Sequence, residues 1–195
     1  MKYDKDIWGE IDSIHAINSN DIEISRKVYQ LVNKIYLLLN EDKGDKANFY
    51  CALGYIGYHF NNLLEFPIDI IENLNQSIQF DSDLITAWLY LGYSYFDKHD
   101  WANSLNSFNY IDDVFYNSLV DELKFKIQEL KICCIMHIER PKSIPVEARK
   151  YIEHLNNSSM REIYYPIELV RLISNADYID RISKITFLEQ IRSIQ

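Results

Sequence analysis

A chain of 195 residues with 48% hydrophobic and 25% charged residues has the make-up of a globular domain large enough to bury a core. The formal charge of −9 is uneven: up to residue 120 there are 8 Lys/Arg against 18 Asp/Glu, leaving 12 against 11 of the totals of 20 and 29 for the remainder. An acidic half of this kind opposes phosphate backbones, whose binding depends on Lys and Arg displacing counterions, and steers a basic partner toward itself. With only 5 Gly and 4 Pro, the chain has few breaks, which favours long helices over the tight turns of an all-β fold.

In chain order, Ile7, Ile11 and Ile14 share one face of a first helix, with Trp8 beside them. Asn20 followed by Glu23 resembles a capping box, and Ile24, Val28, Leu31, Ile35 and Leu38 then recur at helical spacing. NEDKGDKA interrupts the pattern. Helices are expected at 46–63, 68–79, 85–97 and 101–114, then a long one at 118–138 whose stripe is Leu123, Ile127, Leu130 and Cys134. RPKSIP, with Pro141 and Pro145, stops one helix and starts the next. Shorter helices at 146–156, 160–174 and 178–193 complete the chain, Pro166 falling inside the second of these. No segment alternates as a strand would.

The amino-terminal MKYDKDIWGEID has no apolar run suited to a signal peptide, and the longest aliphatic cluster, IYLLL, is too short to span a bilayer. Three Cys, with Cys133 and Cys134 adjacent, form neither a disulfide framework nor a spaced metal site. The expectation is a cytoplasmic protein that binds neither membrane nor nucleic acid. The scattered Gly make no phosphate loop, and no His pair has ligand spacing on a helix. Asp97, His99 and Asp100 cluster in DKHD but are assigned to a turn. His137 is read as a core or boundary residue, and the adjacent Cys pair as small hydrophobes. No cofactor, metal or enzymatic activity is expected.

Residues 87–111, AWLYLGYSYFDKHDWANSLNSFNYI, place Trp88, Leu91, Gly92 and Tyr95 in the order W-x2-L-G-x2-Y. This resembles the tetratricopeptide repeat, a helix-turn-helix unit of about 34 residues. Ser104 stands at the family's small position and Phe108 at its aromatic one, while Tyr116 replaces the usual Pro. A second copy resembles the same unit: ANFYCALGYIGYHF, with Tyr50, Leu53 and Gly54, followed by IIENLNQSIQFDSD. Gly54 to Gly92 is 38 residues, and LLEFPID with Pro67 can hold the excess. After 118 the motif decays, with Glu122, Phe125 and Lys126 at its positions. The resemblance implies one all-α domain over 1–195: antiparallel helix pairs stacked as a tetratricopeptide-like α-solenoid, a repeat core at 46–118, a helical part at 119–195 and extra terminal helices.

In that family the first helices of successive repeats line the binding surface. Carried onto this chain, the resemblance implies a protein-binding face of Tyr55, Tyr58, His59, Leu89, Tyr90, Tyr93, Phe96 and Asp97, with Asn48, Cys51 and Thr86 alongside. Tyr suits such a face because it offers rigid contact area and a hydroxyl. The expected function is a protein–protein interaction module. Its leading form is a bacterial immunity protein or antitoxin that binds and neutralises a basic toxin; a secretion chaperone of the type III class and a peptide-sensing regulatory adaptor are the alternatives.

Overall fold

The computed structural model describes residues 2–17, 21–162 and 164–192, and among them every regular element is helical. The α-helices are α1 (Lys2–His15), α2 (Asp21–Asn40), α3 (Lys46–Phe60), α4 (Ile70–Phe80), α5 (Ile85–Asp97), α6 (Trp101–Phe115), α7 (Asp121–Glu139), α8 (Val146–Asn156), α9 (Ile167–Asn175) and α10 (Arg181–Arg192). The all-α expectation holds for these residues. None of the helices is long and apolar enough to cross a membrane. The proposed cap at Asn20 lies outside the described residues.

Helices α5 and α8 start and stop where the sequence pattern puts them. The others differ for local reasons. The helix expected to reach residue 63 ends at Phe60 and tightens into a 3-10 turn, Asn61–Leu63. The helix expected from residue 160 begins at Ile167, because Pro166 lacks an N–H and disfavours helical backbone in the residue before it. Side-chain caps fix several starts. Asp45 accepts from the Asn48 N–H at 3.3 Å, Asp69 from Glu72 at 3.0 Å and Asp180 from Ser183 at 2.8 Å.

The contacts divide the chain into two compact units, Met1–Ser94 and Tyr95–Gln195, with the boundary inside α5. In the first unit, Ile7, Ile11 and Ile14 of α1 join Val28, Leu31, Ile35 and Leu38 of α2, and Phe49, Leu53 and Ile56 of α3, in one core. Helix α3 is apolar nearly all round, so it is buried on several sides. It runs antiparallel to α4: Ser77 Oγ donates to the Ala47 carbonyl at 2.8 Å near one end, and Gly57 faces Ile68 and Ile70 near the other. Between these points a Cβ on Gly54 would lie 2.5 Å from Leu74 Cγ and 3.4 Å from the Ile70 carbonyl oxygen. Glycine is what lets the two helices close to this distance.

In the second unit α7 is the central element, burying Phe125, Ile127, Leu130, Ile132, Cys133, Cys134 and Met136. Part of this surface joins Ile152 and Leu155 of α8, Leu169 and Ile173 of α9, and Phe187 and Ile191 of α10. Glu129 lies fully buried among them. Its carboxylate accepts from the Leu169 N–H at 3.0 Å, in the first turn of α9, and from the Tyr164 hydroxyl. Lys126 Nζ stands 3.5 Å away. Burial first, and then the Glu129 charge, push the Tyr164 hydroxyl well above its ordinary value, which keeps it a donor. The carboxylate thus ties α7 to the start of α9 and offsets its own desolvation with hydrogen bonds and a neighbouring cation.

Two stability predictions follow from these contacts. Gly54→Ala gains about 1 kcal/mol of helix propensity but forces Leu74 aside, an overpacking of about 1–3 kcal/mol, so its thermal midpoint should fall. Gly9→Ala, in α1 with nothing within 4 Å of its Cβ, meets no such clash, and its midpoint should rise. Circular dichroism melts of the two variants check the contrast. Glu129→Ala strands a backbone N–H and a hydroxyl inside the second unit, and should remove about 2–4 kcal/mol in urea denaturation, with Glu129→Gln losing less.

Candidate functional site

Helices α3 and α5 meet through their tyrosines. Tyr55 and Tyr90 have ring centroids 4.8 Å apart, Tyr58 and Tyr90 5.3 Å, and Tyr58 and Tyr93 6.2 Å. Tyr55 to Tyr90 and Tyr58 to Tyr93 are each 35 residues, so the two helices run parallel in this contact. All four rings are half-buried. From α1, the Trp8 ring packs edge-on to Tyr55 at 5.4 Å, and exposed His15 lies 5.8 Å from it. Exposed His59 sits between Tyr55 at 4.4 Å and Tyr90 at 5.5 Å.

The polar edges of these rings form a chain. His15 Nε2 shares a hydrogen bond with the Tyr55 hydroxyl at 3.0 Å, and His59 Nε2 shares one with the Tyr90 hydroxyl at 3.1 Å. The Tyr55 and Tyr90 rings meet edge-on between these two pairs. His15 and His59 stand 5.4 Å apart, so a second positive charge is resisted. Burial, and secondarily the charge of His15, hold the His59 pKa below its ordinary 6.5. Burial raises the hydroxyls of Tyr55 and Tyr90, and takes that of Tyr93 up to about 12, so the phenols stay neutral.

Six of the eight residues expected on the binding face are therefore in the first unit. Tyr55, Tyr58, His59, Tyr90 and Tyr93 touch through their rings, and half-buried Leu89 lies on α5 beside them. Among the neighbours expected alongside, Asn48 accepts from Trp8 Nε1 at 3.4 Å and bonds Asp45. Cys51 does not reach the face. It is fully buried beside Ser77, and burial pushes its thiol up to about 12. The contributors that sequence reasoning missed are Trp8 and His15, which with Asp12 follow helical spacing along the flank of the isoleucine stripe of α1.

Phe96 and Asp97 belong to the second unit. There Phe96 meets the Trp101 ring edge-on at 5.1 Å, and both residues help to line a cavity of about 320 Å³ with His99, His137 and Arg171. Trp101 stacks on His137 at 3.9 Å with 3° between the planes, and His99 lies 4.9 Å away. DKHD closes as a turn: His99 takes a left-handed φ of 61°, the Asp100 N–H donates to the Tyr95 carbonyl at 2.9 Å, and the Asp100 carboxylate caps α6 through Asn103. No group of three His, Cys, Asp or Glu among the described residues is arranged to hold a metal ion.

Comparisons of the chain with protein-family models, with curated proteins and with solved structures return no match.

The histidine shift has a testable sign. Because the fold disfavours protonated His59, the unfolded chain takes up that proton first. The stability it contributes is present above pH 6.5 and is lost as pH falls through the lower folded value. The thermal midpoint should therefore drop between pH 7.5 and pH 5, and His59→Gln should shrink that drop. A difference of equal size in parent and variant would assign it to other groups.

Proposed function

We propose that this chain is a helical-repeat module that binds another protein on the aromatic face of α3 and α5. The observation that carries the reading is the parallel register of the two helices, which sets Tyr55 and Tyr58 against Tyr90 and Tyr93 at a spacing of 35 residues. A stacked repeat of about 34 residues would create this relation. The antiparallel α3–α4 pair, closed over Gly54 and Gly57, further supports a tetratricopeptide-like arrangement. Half-buried tyrosines held by their neighbours bring large, pre-ordered contact area with little further entropy to lose on binding.

Charge supports a basic partner. From Ala47 to Asp97 the chain has no Lys or Arg and six Asp/Glu. Such a segment attracts a cationic protein and repels nucleic acid. The form of the function that this charge favours is an immunity protein or antitoxin that covers a basic toxin, acting by occlusion rather than by chemistry.

The double variant Tyr55→Ala/Tyr93→Ala tests the face. Truncating an anchoring aromatic commonly removes about 2 kcal/mol or more of binding, and about 1.4 kcal/mol is a factor of ten. Affinity for the partner recovered by pull-down should fall at least about tenfold for each ring that anchors it. Titration calorimetry on variants shown to be folded measures this. Unchanged affinity in a stable double variant would place the partner elsewhere.

A further inference from the structure

The aromatic cluster of the first unit has an anionic edge. On α1, Glu10 at 2.5 Å and Asp6 at 3.2 Å engage Lys34 of α2. Asp12, one turn before His15, has no cation paired with it among the described residues, and its charge acts on the Tyr55 hydroxyl. No Lys or Arg from α3, α4 or α5 beyond Lys46 is available to neutralise it. A carboxylate on the same side of α1 as Trp8 and His15, whose rings meet Tyr55, is thus left facing solvent.

We infer that this edge receives an arginine side chain of the partner, its guanidinium against the rings of Tyr55, Tyr58 and Tyr90 and its charge met by Asp12. The inference rests on the protein-binding reading above and names what that face recognises. Arginine fits where other side chains do not. Its planar cation stacks on aromatic faces and keeps in-plane N–H groups free for a carboxylate and for phenol oxygens. The ammonium of lysine is more strongly hydrated and cannot stack and fork at once. An acidic side chain would meet Asp12, and an apolar one would take water from that carboxylate without replacing it. His59 sits between two of these rings: neutral, it accepts the cation as a neighbour, and protonated, it repels it.

Acetylated hexa-arginine amide, titrated calorimetrically at low salt and pH 7.5, is the probe, with hexa-lysine as its equal in charge. Hexa-arginine should bind at least about fivefold tighter than hexa-lysine, and should weaken several-fold at pH 5.5. Asp12→Asn, an exposed substitution that leaves the core untouched, should cut hexa-arginine affinity by about tenfold, as should Tyr58→Leu in a folded variant, while Tyr58→Phe keeps the ring and the binding. Asp83→Asn removes the same charge from the loop between α4 and α5 and should change little. No binding, equal affinity for the two peptides, or equal losses from Asp12→Asn and Asp83→Asn would overturn the inference. In that event the pull-down partner decides the broader reading: if Tyr55→Ala/Tyr93→Ala still weakens it, the face binds protein by other chemistry, and if not, both proposals fall.

Discussion

Helix α3 can serve as it does only because α4 lies so close against it. Gly54 and Gly57 remove the side chains that would hold the two backbones apart, and Leu74, Ile68 and Ile70 fill the space. With α4 on one side and the α1–α2 core on another, nearly every face of α3 is committed to packing. The strip that remains carries Tyr55, Tyr58 and His59. A helix pinned from several sides has little freedom to rotate or shift, so these rings are held by a rigid support rather than by a loop. The aromatic face is in this sense what the core leaves over.

Polar groups fasten each unit at a particular point. In the second unit, one buried carboxylate, Glu129, receives the start of α9 and the hydroxyl of Tyr164. It is an all-or-none arrangement, since every partner would be stranded by its loss. In the first unit a surface chain of two hydrogen bonds, His15–Tyr55 and His59–Tyr90, links α1, α3 and α5. Its members stay partly solvated, so water can replace each bond and the chain contributes orientation more than stability. The contrast suits the roles: a sealed network holds a core together, and an open one presents rings at a fixed angle while remaining able to exchange partners.

The cavity around Trp101 belongs to the packing of the second unit. Two imidazoles attend the indole, and Glu168 is paired with Arg171 at 2.5 Å. These groups satisfy one another. Burial, with smaller contributions from His99 and Arg140, holds His137 below its ordinary value and keeps it an uncharged stacking partner.

The sequence by itself determined that this protein is helical and where most helices lie, because apolar periodicity, Asp caps and prolines act over a few residues. The stripes Ile7–Ile11–Ile14 and Val28–Leu31–Ile35–Leu38 are buried as their spacing requires. It also singled out the tyrosines of α3 and α5, through a repeat-like motif rather than through periodicity. What it could not provide is which distant groups meet. Nothing local distinguishes Glu129 from the solvated acids around it; only the arrival of Tyr164 and of α9, 35 and 40 residues later, gives its buried carboxylate a hydroxyl and a backbone N–H. Trp8 and His15 lie along the flank of the apolar stripe of an ordinary amphipathic helix, and they join the aromatic face only because α1 packs against α3. Phe96 and Asp97 continue the register of α5 in sequence, yet both belong to the second unit, where Phe96 packs on Trp101. Local propensity is written residue by residue, whereas burial and pairing depend on long-range contacts that exist only once the chain has folded.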